Sequence, residues 1–349
     1  MQKAITICIS ATFRFRGNSM ASVLHVLDVG HGNSAVLMDD RQCVVVDAGP
    51  KTGLLEFLTS EGIDQIEAVL ISHADKDHIE GLISVLESGM FGIRTVRLNS
   101  DLDKDSQLWG DLVFLLGNKD DMGELDFQVS LTPDNTGEFD TANVQIEVLA
   151  PSKAIAAAGP RTKLSHRKII TANGLSAVVR ISREGGASTL LCGDVDVAGF
   201  QYMLDRKVDI KSDVLVYPHH GGRSGSDDVD VYAAMLCEHV QPKIILFSTG
   251  RGRYATPIPS VVATIRKCIP EIKIGCTQLS ENCTASLPDV ELKHLTGHYS
   301  AGRQKNQCCA GTVSLDLNSN PAAAVPLDRG HDEFIRLNVT HALCQRDAT

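Results

Sequence analysis

A chain of 349 residues with 43% hydrophobic side chains can bury one large core or two ordinary ones, which excludes a disordered chain. No apolar run is long enough to cross a bilayer. The formal charge of −10 argues against a broad electrostatic footprint for duplex nucleic acid. Carboxylates that hold cations would inflate that figure, so it weakens a nuclease reading without removing it.

In chain order, residues 1–21 carry a short apolar patch, Ala4 to Ala11, followed by Arg14 and Arg16. That is the wrong charge order for a secretory signal, and the segment is expected to be an N-terminal extension with little structural role. Strands are predicted at 23–29, 34–39 and 42–47, a helix at 53–61, a strand at 67–72, a helix at 78–88 and a strand at 93–98. The theme then repeats, with strands near 144–149, 174–182 and 188–193, a helix at 196–206, and strands at 213–217 and 243–248. Strands followed by helices in both halves predict two mixed sheets face to face with helices outside. An acidic insertion at about 101–140 separates the halves, with a helix around 106–117 that holds the only tryptophan, Trp109, and it is a candidate wall of a substrate pocket.

The predicted hydrolytic unit spans 22–275. A Cys- and His-containing loop with a closing strand follows at 276–317. Residues 318–332 read as a Pro/Ala-rich linker and 333–340 as a last strand or tail, within a terminal segment 318–349. Ten cysteines at uneven spacing, several inside apolar runs (Cys43, Cys192), read as reduced thiols and point to a cytoplasmic protein.

Chemistry is concentrated where apolar runs end. Ser72-His73-Ala74-Asp75-Lys76-Asp77-His78 places two imidazoles and two carboxylates within six positions, directly after a strand. Such groups repel and desolvate one another unless cations hold them, and hydrolytic metal sites are built from these ligand types. Asp47 ends the run Cys43 to Val46, Asp194 ends Thr189 to Cys192, and His219 and His220 follow Val214 to Pro218. Each stands at a Gly- or Pro-marked exit from a strand, so several strand ends are expected to converge on one sheet edge.

These stretches, together with Leu27-Asp28-Val29-Gly30-His31-Gly32-Asn33, Val46-Asp47-Ala48-Gly49-Pro50, Gly81, Asn173 with Ser176, and Pro218-His219-His220-Gly221, resemble the metallo-β-lactamase-fold hydrolases. Within that family they are most similar to the hydrolase domain of the ComEC/Rec2 competence proteins, over roughly 22–275. The resemblance implies an α/β (α+β) four-layer αββα sandwich and a stand-alone hydrolase that does not import DNA. It also implies two divalent ions, manganese or zinc. His73 and Asp75 would hold one ion, Asp77 and His78 the other with His220, and Asp194 would bridge them. Asp77, Asp194 and His219 would carry the catalysis, with a hydroxide shared by the ions as nucleophile and His219 either facing a phosphate or supporting the ligands from behind, its role exchangeable with that of His220. Asp47, Asp28 and Asn173 would orient the ligands from behind.

Two departures from the family pattern shape the expectation. Asp75 and Asn173 stand where the common pattern has histidines, which makes the first site oxygen-rich and favours manganese. After Arg253-Tyr254 come Ala255, Thr256, Pro257 and Ile258 in place of histidines that could assist as general acid. Arg223, Arg251 and Arg253, with the basic stretch Arg161 to Lys168, suit phosphate oxygens, so a phosphodiester or nucleic-acid substrate is expected, with no membrane partner. The alternatives are hydrolysis of a lactone, thioester or phosphocholine ester, or a metal-binding interaction subunit with weak catalysis. Cys276, Cys283, His294, His298, Cys308 and Cys309 are candidate ligands of an additional structural zinc.

Overall fold

The computed structural model describes residues 22–345 apart from 102, 164–168, 226–227, 253 and 321. The N-terminal extension, Arg253 and most of the basic stretch before Asn173 lie outside the described residues. The strands are β1 Ser22–Val26, β2 Ser34–Asp39, β3 Gln42–Ala48, β4 Gln65–Ile66, β5 Ala68–Leu70, β6 Gly92–Ile93, β7 Thr95–Arg97, β8 Asp126–Gln128, β9 Val144–Ala150, β10 Val178–Arg183, β11 Ser188–Leu191, β12 Val214–Val216, β13 Ile244–Phe247, β14 Lys273–Cys276, β15 Val313–Asp316 and β16 Ala323–Val325. The helices are α1 Gly53–Ser60, α2 Lys76–Ser88, α3 Gln107–Asp121, α4 Lys153–Ala158, α5 Val197–Asp205, α6 Val229–Val240, α7 Pro259–Cys268 and α8 Arg329–Asn338.

Two sheets carry the fold. One has eight strands in the order β16-β15-β1-β2-β3-β5-β7-β8, the other six in the order β14-β13-β12-β11-β10-β9. In the first, β3, β5, β7 and β8 run parallel; in the second, β11 to β14 do. Both faces of the central strands are covered, so their sequences are near-continuous apolar runs without clean alternation. The pleat still sorts them: Val44 and Val46 face the opposite sheet with Leu191, Val214 and Val216, while Cys43 and Val45 face the helices. Leu54, Phe57, Leu82 and Leu112 bring α1, α2 and α3 onto the outer face of the first sheet. Phe200, Leu236, Val262 and Ile335 bring α5, α6, α7 and α8 onto that of the second. The result is the expected four-layer αββα order.

The structure revises several sequence boundaries. Residues 333–338 are neither strand nor tail but part of α8, because His331, Phe334 and Ile335 recur at helical spacing and bury one face. The Asp328 carboxylate caps this helix through the Gly330 and His331 N–H groups. The supposed linker supplies β16, which pairs with β15, which in turn pairs with β1. The chain after 275 is therefore woven into the first sheet. The predicted strand 174–182 begins only at Val178, because Asn173–Leu175 forms a 3-10 turn. Helices α6 and α7 were not anticipated, and the acidic insertion supplies α3 and the edge strand β8.

Candidate metal centre

The parallel strands of both sheets end on one side of the sandwich, and the functional side chains stand on the turns that follow. In open α/β sheets this edge is the usual ligand crevice. Asp47 lies at the end of β3, the 72–75 turn joins β5 to α2, Asp194 follows β11, His219 and His220 follow β12, and Ser248 follows β13.

Asp47 is 2% exposed and accepts from Ser72 N–H (2.7 Å), Ser72 Oγ (2.8 Å) and His78 Nδ1 (2.8 Å). This ties the turn to β3 and fixes the His78 ring with its Nε2 away from Asp47. The Ser248 carbonyl accepts from His220 Nδ1 at 2.6 Å, and Ser72 Oγ lies 3.0 Å from His73 Nδ1. Carbonyl and carboxylate acceptors on Nδ1 leave Nε2 as the lone-pair nitrogen, the arrangement that metal-ligating histidines use.

The imidazoles gather around Asp194. Its Oδ1 is 3.4 Å from His78 Nε2 and 3.9 Å from His220 Nε2, while its Oδ2 is 4.0 Å from His73 Nε2 and 3.3 Å from His219 Nδ1. His220 Nε2 also lies 3.3 Å from Asp77 Oδ2, and His73 Nε2 lies 3.6 Å from Asp75 Oδ2. Yet the Nε2 atoms of His73, His78, His219 and His220 are buried without a hydrogen-bond partner. Buried nitrogens are rarely left so, and the three that face Asp194, those of His73, His78 and His220, fit a cation as the missing partner.

The electrostatics agree. Burial alone would keep His78 neutral, but the Asp47 and Asp194 carboxylates outweigh it and raise its pKa well above the ordinary value. Burial would likewise raise Asp194, but the His78 and His220 imidazoles hold it well below the carboxylate range. Burial would raise Asp77 too, but the neighbouring His220 and His78 imidazoles outweigh it and hold the carboxyl down at about 2. Without a cation the cluster draws protons; a divalent ion meets the same demand for positive charge.

Two groups of three ligand atoms, each within 4.8 Å of one another, occur among the described residues: His73 with His78 and Asp194, and His31 with Asp77 and His220. The structure thus separates Asp77 from His78, which the sequence assigned to one ion. Both lie in the first turn of α2, where successive residues project about 100° apart, so His78 turns in toward Asp47 and Asp77 turns sideways toward His220.

Other assignments change as well. Asp75 is engaged by the Lys104 ammonium from the insertion, and its carboxyl is held below the ordinary range by His73 and then Lys104. Asn173 stands half-buried on its turn, and the neighbouring Ser176 is the residue that meets the cluster, its Oγ accepting the Asp194 N–H at 3.3 Å. Among the described residues, Asp28 touches none of the predicted ligand side chains of the cleft. Fully buried, it accepts from Gly30 N–H, Gln278 Nε2, Gly302 N–H and the Cys308 thiol, and so ties the segment after β14 to the loop after β1.

Arg223 is exposed beside the His219-His220 turn, as a substrate contact requires. Arg251 is not available in this way. Its guanidinium donates to the carbonyls of Leu279 (3.2 Å), Thr284 (2.9 Å) and Ala285 (2.7 Å), because the chain after β14 folds back over it. Arg251→Ala is therefore expected to lower stability by ~1.5–3 kcal/mol while leaving the substrate KM unchanged, as read by denaturant melts and steady-state kinetics. A raised KM at unchanged stability would return Arg251 to the substrate.

The six candidate zinc ligands are dispersed. Cys308 turns to Asp28, His298 Nδ1 pairs with Glu61 at 2.6 Å, and His294 Nε2 donates to the Cys309 carbonyl at 2.7 Å. Cys276, Cys283 and Cys309 instead line a small apolar cavity with Cys344, whose position near the terminus gave no sign of it in sequence. Sequence reasoning also passed over His31, although its place between two glycines after a strand marked it; nothing marked Lys104.

The family model described as Metallo-beta-lactamase superfamily matches residues 27–234. The chain is 26% identical over 216 residues to ComE operon protein 3 of Bacillus subtilis, covering 61% of this chain and 24% of that protein. It is 25% identical over 247 residues to competence protein ComA of Neisseria gonorrhoeae, covering 69% and 29%. The chain thus spans under a third of the length of these curated relatives. Among solved structures, the metallo-beta-lactamase fold protein YhfI from Bacillus subtilis aligns with a TM-score of 0.44 at 12% identity, covering 73% of this chain and 96% of that one.

Proposed function

The chain belongs to the metallo-beta-lactamase superfamily, and on that premise we propose that this metal-dependent hydrolase cleaves phosphodiester bonds, as a phosphodiesterase or nuclease. The observation that carries the reading is the Asp194 carboxylate, whose two oxygens face separate imidazoles with unpartnered nitrogens. Divalent ions held there would supply Lewis acidity and an activated water, and a pair of ions suits a displacement in which attacking and leaving oxygens both carry charge. The protein's part is to hold His73, His78 and His220 in the metal-binding tautomer, through Ser72, Asp47 and the Ser248 carbonyl. Lys104 fixes Asp75, and exposed Arg223 offers a positive group to an anionic substrate beside the cleft.

The carboxylate oxygens that Asp77 and Asp194 bring to the two ligand groups support manganese over zinc. After exhaustive chelation, hydrolysis of bis(p-nitrophenyl) phosphate is expected to vanish. Manganese should restore it further than zinc does, and a lactone and a thioester assayed in parallel should react poorly. Restoration by zinc alone would overturn the metal assignment. Faster lactone or thioester turnover would overturn the phosphodiester reading.

A further inference from the structure

We propose that His31 is a third protein ligand of the ion position formed by Asp77 and His220. The inference rests on the two-ion reading of the cleft and deepens it. One ring nitrogen of His31, one of His220 and one Asp77 oxygen lie within 4.8 Å of one another, and His31 Nδ1 is buried without a hydrogen-bond partner. A core histidine would have both nitrogens satisfied. Here ligand atoms from three separate turns lie together, and two imidazoles with one carboxylate form a recognised open ligand set for a divalent ion.

The loop that presents His31 is built to hold one position. Asp28 Oδ1 accepts from Gly30 N–H at 3.1 Å, Asn33 N–H donates to the Asp77 carbonyl at 3.1 Å, and Ser248 Oγ donates to the Gly32 carbonyl at 2.7 Å. Gly32 has φ +152°, and a Cβ there would lie 2.4 Å from the Asp77 carbonyl oxygen. At Gly250 a Cβ would lie 2.1 Å from the His31 backbone nitrogen. The loop after β1 is thus clamped between α2 of one half and the turn after β13 of the other, the two elements that also place Asp77 and support His220. His31 lies with its ring centroid 4.3 Å from that of His220 and 4.7 Å from that of Tyr254. Stacking alone would be served equally by a phenyl ring, which offers no lone pair, and that difference defines the experiment.

Metal-free wild type, His31→Phe and His31→Gln are titrated with Mn²⁺ against a chromophoric chelator, and their Co²⁺ forms are compared by visible absorption. The expected result is two equivalents for the wild type. In both variants one equivalent should remain tight, the other should weaken at least ~10–100-fold, and the Co²⁺ bands should change. Two equivalents of unchanged affinity with unchanged bands in His31→Phe would overturn the proposal and leave His31 a stacking residue. Equal weakening of both ions together with a lowered melting temperature of the metal-free variants would overturn it too, assigning His31 to loop structure. A wild type that takes up fewer than two equivalents would instead overturn the two-ion reading itself, a failure recognisable before any variant is measured.

Discussion

Asp194→Ala is expected to abolish binding of both ions and to lower phosphodiester turnover at least about a thousandfold, equivalent to ~4 kcal/mol of transition-state stabilisation. The size of the effect follows from geometry. Asp194 is 6% exposed, and its oxygens approach His78 and His220 on one side and His73 and His219 on the other. No other carboxylate among the described residues touches both groups, so its removal leaves several imidazoles facing one another with no anion to attract a cation between them. Asp194→Asn preserves shape and removes the charge. It should lose nearly as much activity while keeping the fold, which circular dichroism can verify. Full metal content and turnover in either variant would refute the assignment of the cleft.

The second large effect is expected at Asp47, which need not touch a metal ion to matter. Its carboxylate satisfies the Ser72 N–H, the Ser72 hydroxyl and His78 Nδ1 at the bottom of the site. Asp47 also has φ +59°, a left-handed conformation that Asp and Asn tolerate better than most residues. In Asp47→Ala the turn loses its buried anion and keeps the strained backbone, so a cost of ~3–5 kcal/mol in stability is expected. Asp47→Asn retains size and backbone preference but cannot hold His78 in its tautomer by charge. Its metal affinity should fall ~10–100-fold with only a modest change in melting temperature. An Asn variant with unaltered affinity would show that Ser72 alone orients the ring.

How much of this was legible beforehand depends on how locally each feature is encoded. Four-layer architecture follows from strand-length apolar runs alternating with helical ones, and those runs are contiguous in sequence. The ligand cluster was equally plain, since the residues from His73 to His78 are neighbours and Asp194, His219 and His220 each end a strand. Terminal segments were harder. The spacing of His331, Phe334 and Ile335 carried a helical period, but the flanking Pro and Ala residues suggested a linker, and the β15 edge that recruits β16 is not local to it.

By itself, the sequence determined which side chains could bind metal and on which strand ends they would stand, because both properties belong to single residues and short runs. Only the tertiary structure decided their partition and partners. Asp77 and His78 part because a helix turns between them, and Asp28 is consumed by Gln278, Gly302 and Cys308, which lie about 250 residues or more downstream. Arg251 reads as a free cation until the chain after β14 folds over it, and His31 reads as part of a glycine-rich turn until α2 and the turn after β13 close on it. Such outcomes depend on the direction in which a side chain leaves its element and on which distant backbone groups need partners. Those are set when the two sheets pack, and no local pattern carries them.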